Sequence, residues 1–145
     1  MRIAVLGGGH GCYAAAADLS EQGHEVRLWR RDAAALAPVI AARCIALKDH
    51  RGRREVALAL ATADIGAAVR GAELIVVPTP AFAQVDIARA LAPHLSDGQV
   101  VFLPPGTFGS YVMARTARDA GSRAEVAFAE TGTLPYLARK QGPSC

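Results

Sequence analysis

Arg2-Ile3-Ala4-Val5-Leu6-Gly7-Gly8-Gly9-His10-Gly11-Cys12, followed by an alanine-rich run from Tyr13 to Gln22, decides the reading of this chain. A short apolar, β-branched run meets a glycine cluster, and a helical stretch begins directly after it. Gly7 permits a tight turn, and Gly9 lets backbone approach a pyrophosphate with no Cβ in the way. The unpaired amides at the following helix N-terminus face the negative charge. Cys12 occupies the third position of this G-x-G-x-x-G pattern, where Gly or Ala is usual and the helix must pack close to the strand. A glycine cluster alone also marks ordinary turns, so the context carries the weight.

That context is a second strand, Glu25 to Trp29, entered through Gly23-His24 and ending at Arg30-Arg31. Arg30 lies 18 positions beyond Cys12, where a ribose-contacting residue is expected. An acidic side chain there would accept hydrogen bonds from both ribose hydroxyls and repel a 2′-phosphate. A guanidinium fork does the reverse, gripping phosphate and stacking on adenine. The expected cofactor is therefore NADP, with NAD possible: the alternative makes Arg30 and Arg31 a solvated strand end and gives the ribose to Asp32.

Strands and helices keep alternating. Ala33 to Ala42 reads as a helical or irregular crossover interrupted by Pro38, and Cys44 to Lys48 with Glu55 to Leu60 as a hairpin. Asp64 caps a short helix ending near Gly71, and Glu73 to Val77 is a buried strand stopped by Pro78-Thr79-Pro80. A helix from Ala81 to His94 carries Val85, Ala88, Leu91, Ala92 and Leu95 as a core stripe. The strand Gln99 to Leu103 leads into Pro104-Pro105-Gly106-Thr107-Phe108-Gly109, then a helix from Ser110 to Ala120 and a last strand, Glu125 to Ala129. The fold class is α/β: a Rossmann-like, doubly wound, mostly parallel sheet with helices on both faces. Ligands bind beyond the carboxyl ends of such strands. The loops Gly7 to Cys12, Arg30-Arg31, Pro78 to Pro80, Pro105 to Thr107 and Glu130 to Thr133 all follow strands, and they should line one crevice. Pyrophosphate and adenosine ribose belong to the first two, and the loops after Val77 and Leu103 lie near the nicotinamide. The prolines serve equally as strand terminators.

The 145 residues, a net charge of +3 and 52% hydrophobic content fit one dinucleotide-binding domain over residues 1–145. The chain is short for an enzyme holding both a dinucleotide and a substrate, and a partner domain is expected to be missing. Leu74 to Val77 is too short to span a bilayer, no secretory signal is visible, and cytoplasmic residence is the expectation. Arg51-Gly52-Arg53-Arg54 reads as a solvated hairpin tip, because nucleic-acid binding wants a basic stripe with interleaved aromatics. Cys12, Cys44 and Cys145 lack disulfide or zinc spacing and are expected to be free thiols. The four histidines show no ligand spacing, so no metal is expected.

Ala72-Glu73-Leu74-Ile75-Val76-Val77-Pro78-Thr79-Pro80, Leu91 to Gln99, Pro105-Gly106-Thr107-Phe108-Gly109 and above all Glu130-Thr131-Gly132-Thr133-Leu134-Pro135-Tyr136 resemble the N-terminal domain of the opine dehydrogenases. These form the octopine/nopaline dehydrogenase family, within the wider group of ketopantoate reductase and glycerol-3-phosphate dehydrogenase, and the similarity runs from Arg2 to about Pro143. The resemblance implies hydride transfer from NAD(P)H to the imine of an amino acid and a 2-oxo acid. It also implies a helical second domain, absent here, that supplies most substrate contacts and a catalytic histidine paired with a carboxylate. No catalytic residue is assigned in this chain. Amino acid and oxo acid are partners only with that domain, and an apolar face left by its absence could drive self-association into a homo-oligomer. The expected cofactor residues are Gly7, Gly9, His10, Gly11, Cys12, Arg30, Arg31, Pro78, Thr79, Pro80, Pro105, Gly106 and Thr107. Glu130, Thr131 and Thr133 are expected on the substrate side. His10 stands where the family often has Asn and is expected to shape the turn and contact phosphate. Cys12 and Pro104 depart from the family pattern. The alternatives are a ketopantoate-reductase-like or glycerol-3-phosphate-dehydrogenase-like enzyme, and a standalone non-catalytic dinucleotide-binding module.

Overall fold

The computed structural model describes residues 1–140. Eight strands and five helices follow one another as β1 (Arg2–Leu6), α1 (His10–Glu21), β2 (Glu25–Trp29), α2 (Ala33–Ala42), β3 (Cys44–Asp49), β4 (Gly52–Ala57), β5 (Leu60–Thr62), α3 (Ile65–Val69), β6 (Leu74–Val76), α4 (Ala81–Leu91), β7 (Val100–Leu103), α5 (Gly109–Asp119) and β8 (Ala127–Glu130). Six strands form one sheet in the order β5-β2-β1-β6-β7-β8, while β3 and β4 make a separate antiparallel pair. Every pairing in the large sheet is parallel.

The sequence of β1 shows why both faces of this sheet are covered. Side chains alternate across a strand, so an apolar run without polar interruptions must be buried on both sides. Ile3 and Val5 join a core built with Val26 and Leu28 of β2, the alanines of α1 and Leu36 and Val39 of α2. Ala4 and Leu6 join the other core, with Ile75, Val101 and Leu103 of the sheet, Ala68 and Val69 of α3, Ile87 and Leu91 of α4 and Met113 of α5. Helices thus cover both faces, as the alternating pattern predicts. The alanines of α1 serve this packing directly: Ala15, Ala16 and Ala17 are buried, and side chains this small let a helix lie close against its sheet.

Several boundaries differ from those read in the sequence. Helix α1 begins at His10, so His10, Gly11 and Cys12 form its first turn. The predicted strand Glu55 to Leu60 is two strands: β4 completes the hairpin, and β5 joins the large sheet beside β2. The break is at Leu58-Ala59, where Leu58 N–H donates to Arg43 O at 2.8 Å and Ala59 N–H donates to Val26 O at 2.9 Å. The crossover Ala33–Ala42 is a regular helix despite the exposed Pro38, nucleated by Asp32, which accepts a hydrogen bond from Ala35 N–H. Helix α4 stops at Leu91 and gives way to a 3₁₀ turn, Ala92–His94, around Pro93. Glu130 closes β8 and so stands on the sheet itself.

The basic hairpin tip is tied down. Arg54 bonds to Glu21 at the end of α1 and to Asp49 across the turn at 2.8 Å, and Arg51 reaches Glu21 at 2.8 Å. Cys12 is a buried free thiol, Cys44 does not carry a free thiol, and Cys145 lies outside the described residues. Among the described residues, no helix is long and apolar enough to cross a membrane, and no cluster of His, Cys, Asp and Glu could hold a metal ion.

Candidate dinucleotide site

At the carboxyl ends of β1, β2 and β6 lies a cleft of about 330 Å³. The strand order reverses there, because β1 pairs with β2 on one side and β6 on the other. The glycine turn forms its floor. Gly7 has φ +129°, a conformation that side chains rarely adopt, and a Cβ on it would stand 2.6 Å from Thr79 Cγ2 and 2.7 Å from Cys12 Sγ. Gly8 is roofed by Arg30, whose Cδ and Nε would lie 2.6 Å from a Cβ there. Around Gly9 such an atom would meet nothing within 4 Å, so its backbone is open to the cleft.

Gly9 is the N-cap of α1 and no side chain caps the helix, which leaves first-turn amides available to an anion. Thr79, only 8% exposed, lines the same cleft, and its Oγ1 is buried without a hydrogen-bond partner. Buried hydroxyls are normally paired. An open glycine, an uncapped helix and an orphaned hydroxyl converge on one volume, and this donor set fits a dinucleotide.

The ribose end is charged. Arg30 Nη2 lies 3.9 Å from Asp32 Oδ2, and Arg31 Nη1 lies 3.6 Å from Asp86 Oδ2 on α4. Asp32 is already engaged through Oδ1, which accepts the hydrogen bond from Ala35 N–H at 3.0 Å. Trp29 sits beneath, its indole N–H donating to Ala63 O at 2.9 Å.

Of the residues expected at the cofactor, the cleft brings together Gly7, Gly9, Arg30, Arg31, Thr79 and Pro80. Others stand behind it. The Cys12 thiol points to Leu6 O at 3.7 Å and Pro78 O at 3.5 Å, and burial pushes its pKa up to about 11. A Cβ on Gly11 would stand 3.6 Å from Pro78, and the Cys12 thiol reaches Pro78 O, so the first turn of α1 lies against the end of β6. His10 Nδ1 accepts a hydrogen bond from Lys140 N–H at 2.9 Å, and its neighbour Tyr13 lies under the Lys140 ammonium. With Tyr136 donating to Asp18 at 2.8 Å, the last described segment runs back along α1.

The loop Pro105 to Thr107 lies outside the lining of this cleft and is joined to α4 by Gln84, whose Nε2 donates to Gly106 O at 3.2 Å. Glu130 faces that loop. Its carboxylate accepts hydrogen bonds from Phe108 N–H and Ser110 N–H, both at 2.8 Å, and the Ser110 bond is the chief reason its pKa is lowered. Gly106 N–H donates to Thr131 O at 3.0 Å, and Thr131 Oγ1 donates to Thr133 O at 3.2 Å. Glu130, Thr131 and Thr133 are thus bound up in local structure outside the cleft lining. What the sequence reading missed is the wall formed by α4, where Ala83, Asp86, Ile87 and Ala90 face the cleft. Their spacing is helical and was available as a signal.

Residues 2–107 match the family described as the NAD-dependent glycerol-3-phosphate dehydrogenase N-terminus. The chain belongs to this family. The domain is 31% identical over 140 residues to an opine dehydrogenase of Arthrobacter sp. strain 1C, an alignment covering 97% of this chain and 39% of the relative. It is 37% identical over 107 residues to a glycerol-3-phosphate dehydrogenase [NAD(P)+] of Nitratidesulfovibrio vulgaris strain DP4, covering 70% of this chain and 30% of that one. An octopine dehydrogenase solved in complex with NADH and agmatine superposes with a TM-score of 0.72 at 23% identity, over 93% of this chain and 36% of its own. The chain therefore spans well under half the length of these relatives. It is a nucleotide-binding N-terminal domain of an NAD(P)-dependent dehydrogenase family, and a homologue of opine dehydrogenase.

Proposed function

We propose that this domain is the NADP(H)-binding half of an opine-dehydrogenase-like oxidoreductase that reduces the imine formed from an amino acid and a 2-oxo acid. The observation that carries the opine reading is its extent. The opine dehydrogenase alignment covers 97% of the chain, whereas the glycerol-3-phosphate dehydrogenase match covers 70%. A glycerol-3-phosphate dehydrogenase is the second reading, favoured by the family match over residues 2–107.

A bound nicotinamide supplies a hydride. This chain's residues hold the nucleotide: the Gly9 backbone and first-turn amides of α1 face the pyrophosphate, and Thr79 Oγ1 donates to it or to the adjoining ribose. Arg30 and Arg31 take the adenosine ribose and its 2′-phosphate. Pro105, Gly106 and Thr107 belong to a second wall that Glu130 fixes in place. The resemblance to the opine dehydrogenases assigns most substrate contacts and the catalytic histidine to a further helical domain, a reading supported by the chain's spanning 39% of its opine dehydrogenase relative. Alone, the chain binds cofactor and transfers no hydride.

The test is a parallel titration of the purified chain with NADPH and NADH, read by nicotinamide fluorescence and calorimetry. Tighter NADPH binding that is lost in Arg30→Asp supports the reading. Tighter NADH binding moves the ribose role to Asp32, and binding of neither overturns it. Extending the protein through the adjoining helical domain and assaying imine against glycerol-3-phosphate substrates separates the two enzyme readings.

A further inference from the structure

The adenosine end of the cleft is balanced in a way that the two arginines alone do not disclose. Arg30 and Arg31 contribute two positive charges to its lining, and Asp32 and Asp86 contribute two negative ones. The two carboxylates differ in what they do. Asp32 caps α2 through Oδ1 and faces Arg30 of its own loop through Oδ2, at 3.9 Å. Asp86 stands across the cleft on α4, and its contacts are ion pairs at 3.6 Å to Arg31 and 3.7 Å to Arg89, both longer than hydrogen bonds. Its side chain is 57% exposed and that of Arg31 is 79% exposed. A pair this open contributes little to stability, and Arg31 is free to exchange Asp86 for another anion.

Resting on the NADP(H) reading above, the geometry points to Asp86 as a specificity-determining residue that restrains Arg31 and holds down the preference for NADPH over NADH. A 2′-phosphate must draw Arg31 away from Asp86, and it carries close to two negative charges into the field of that carboxylate. A 2′-hydroxyl brings no charge and leaves the Arg31–Asp86 pair intact. Asp86 therefore penalises one dinucleotide and is nearly neutral to the other. The cleft is set to accept both, and α4 sets the balance as much as the loop after β2.

The test uses the 145-residue chain and its Asp86→Asn variant, each titrated with NADPH and NADH by nicotinamide fluorescence at low and high salt. The exposed position of Asp86 leaves the fold intact, and a thermal melt checks this. Asp86→Asn should tighten NADPH binding by roughly three- to tenfold, leave NADH nearly unchanged, and lose much of the gain at high salt. In an Arg31→Gln background the same substitution should give a smaller gain. An unchanged ratio of the two affinities, or an equal shift in both, overturns the role of Asp86 while leaving the NADP(H) reading standing. A wild-type chain that binds neither dinucleotide overturns that reading itself.

Discussion

Glu130 accepts a hydrogen bond from the backbone N–H of Ser110 at 2.8 Å, so a carboxylate at the end of β8 caps the helix that packs beside it. The first turn of α5 has no side-chain cap of its own, and Thr107 and Phe108 enter it with φ of 56° and 62°, left-handed values for two residues that are not glycine. Such backbone persists where surrounding bonds hold it. Glu130→Ala should lower Tm by a few degrees and raise proteolysis near Phe108. The lowered pKa of Glu130 fixes the sign with pH. Its contribution is complete above the unfolded carboxylate value and disappears as pH falls through the lower folded value. Melts of Glu130→Gln should therefore show a flatter acid limb than wild type, and parallel acid limbs would refute the capping role.

Gly7 and Gly9 separate shape from access. Gly7→Ala places a methyl group against Thr79 and Cys12 at an unfavourable φ and should cost about 2 kcal/mol or more, read by urea unfolding. Gly9 has φ −80° and open space around it, so Gly9→Ala should unfold like wild type yet bind NADPH at least about tenfold more weakly. Equal unfolding curves for both variants would contradict this division.

Thr79→Val exchanges an orphaned hydroxyl for a methyl group of nearly the same shape. Without cofactor the variant should be as stable as wild type or more stable by about 1 kcal/mol, because an unmet polar group has been removed. Its affinity for either dinucleotide should fall by roughly five- to tenfold. Calorimetry and a melt on one sample check both halves, and undiminished affinity would remove Thr79 from the cofactor contacts.

Cys12 should resist alkylation. With its pKa pushed up to about 11 by burial, only roughly one part in a thousand is thiolate at pH 8, and that fraction is sealed between α1 and the strand ends. Peptide mapping after iodoacetamide treatment should find Cys12 unmodified in the native chain and modified after denaturation.

The strand, glycine turn and helix at Arg2 to Glu21 are legible because each local signal agrees with the next: apolar run, glycines, then alanines that fit a close-packed helix. The later strands are legible for the same reason. Strand β5 was not, since Leu60-Ala61-Thr62 is three residues long and follows the hairpin after only Leu58-Ala59. Its identity depends on pairing with β2, a partner more than thirty residues away. On α4 the core stripe drew attention to one face, although Ala83, Asp86, Ile87 and Ala90 keep helical spacing on the cleft side. The bonds of Glu130 span 20 and 22 residues, and no local pattern announces them. Positions set by chain-local chemistry could be read, and those set by contact across the sheet could not.

The β3–β4 hairpin has a narrow neck, closed where Leu58 N–H meets Arg43 O. Its tip is pinned to Glu21 at the far end of α1, roughly 18 Å of helix away from the glycine turn. The tip is therefore an anchored point remote from the crevice, where an attached reporter or affinity handle stays clear of bound nucleotide. Because Arg51 and Arg54 hold that tip to α1, an insertion there has to keep both arginines in place.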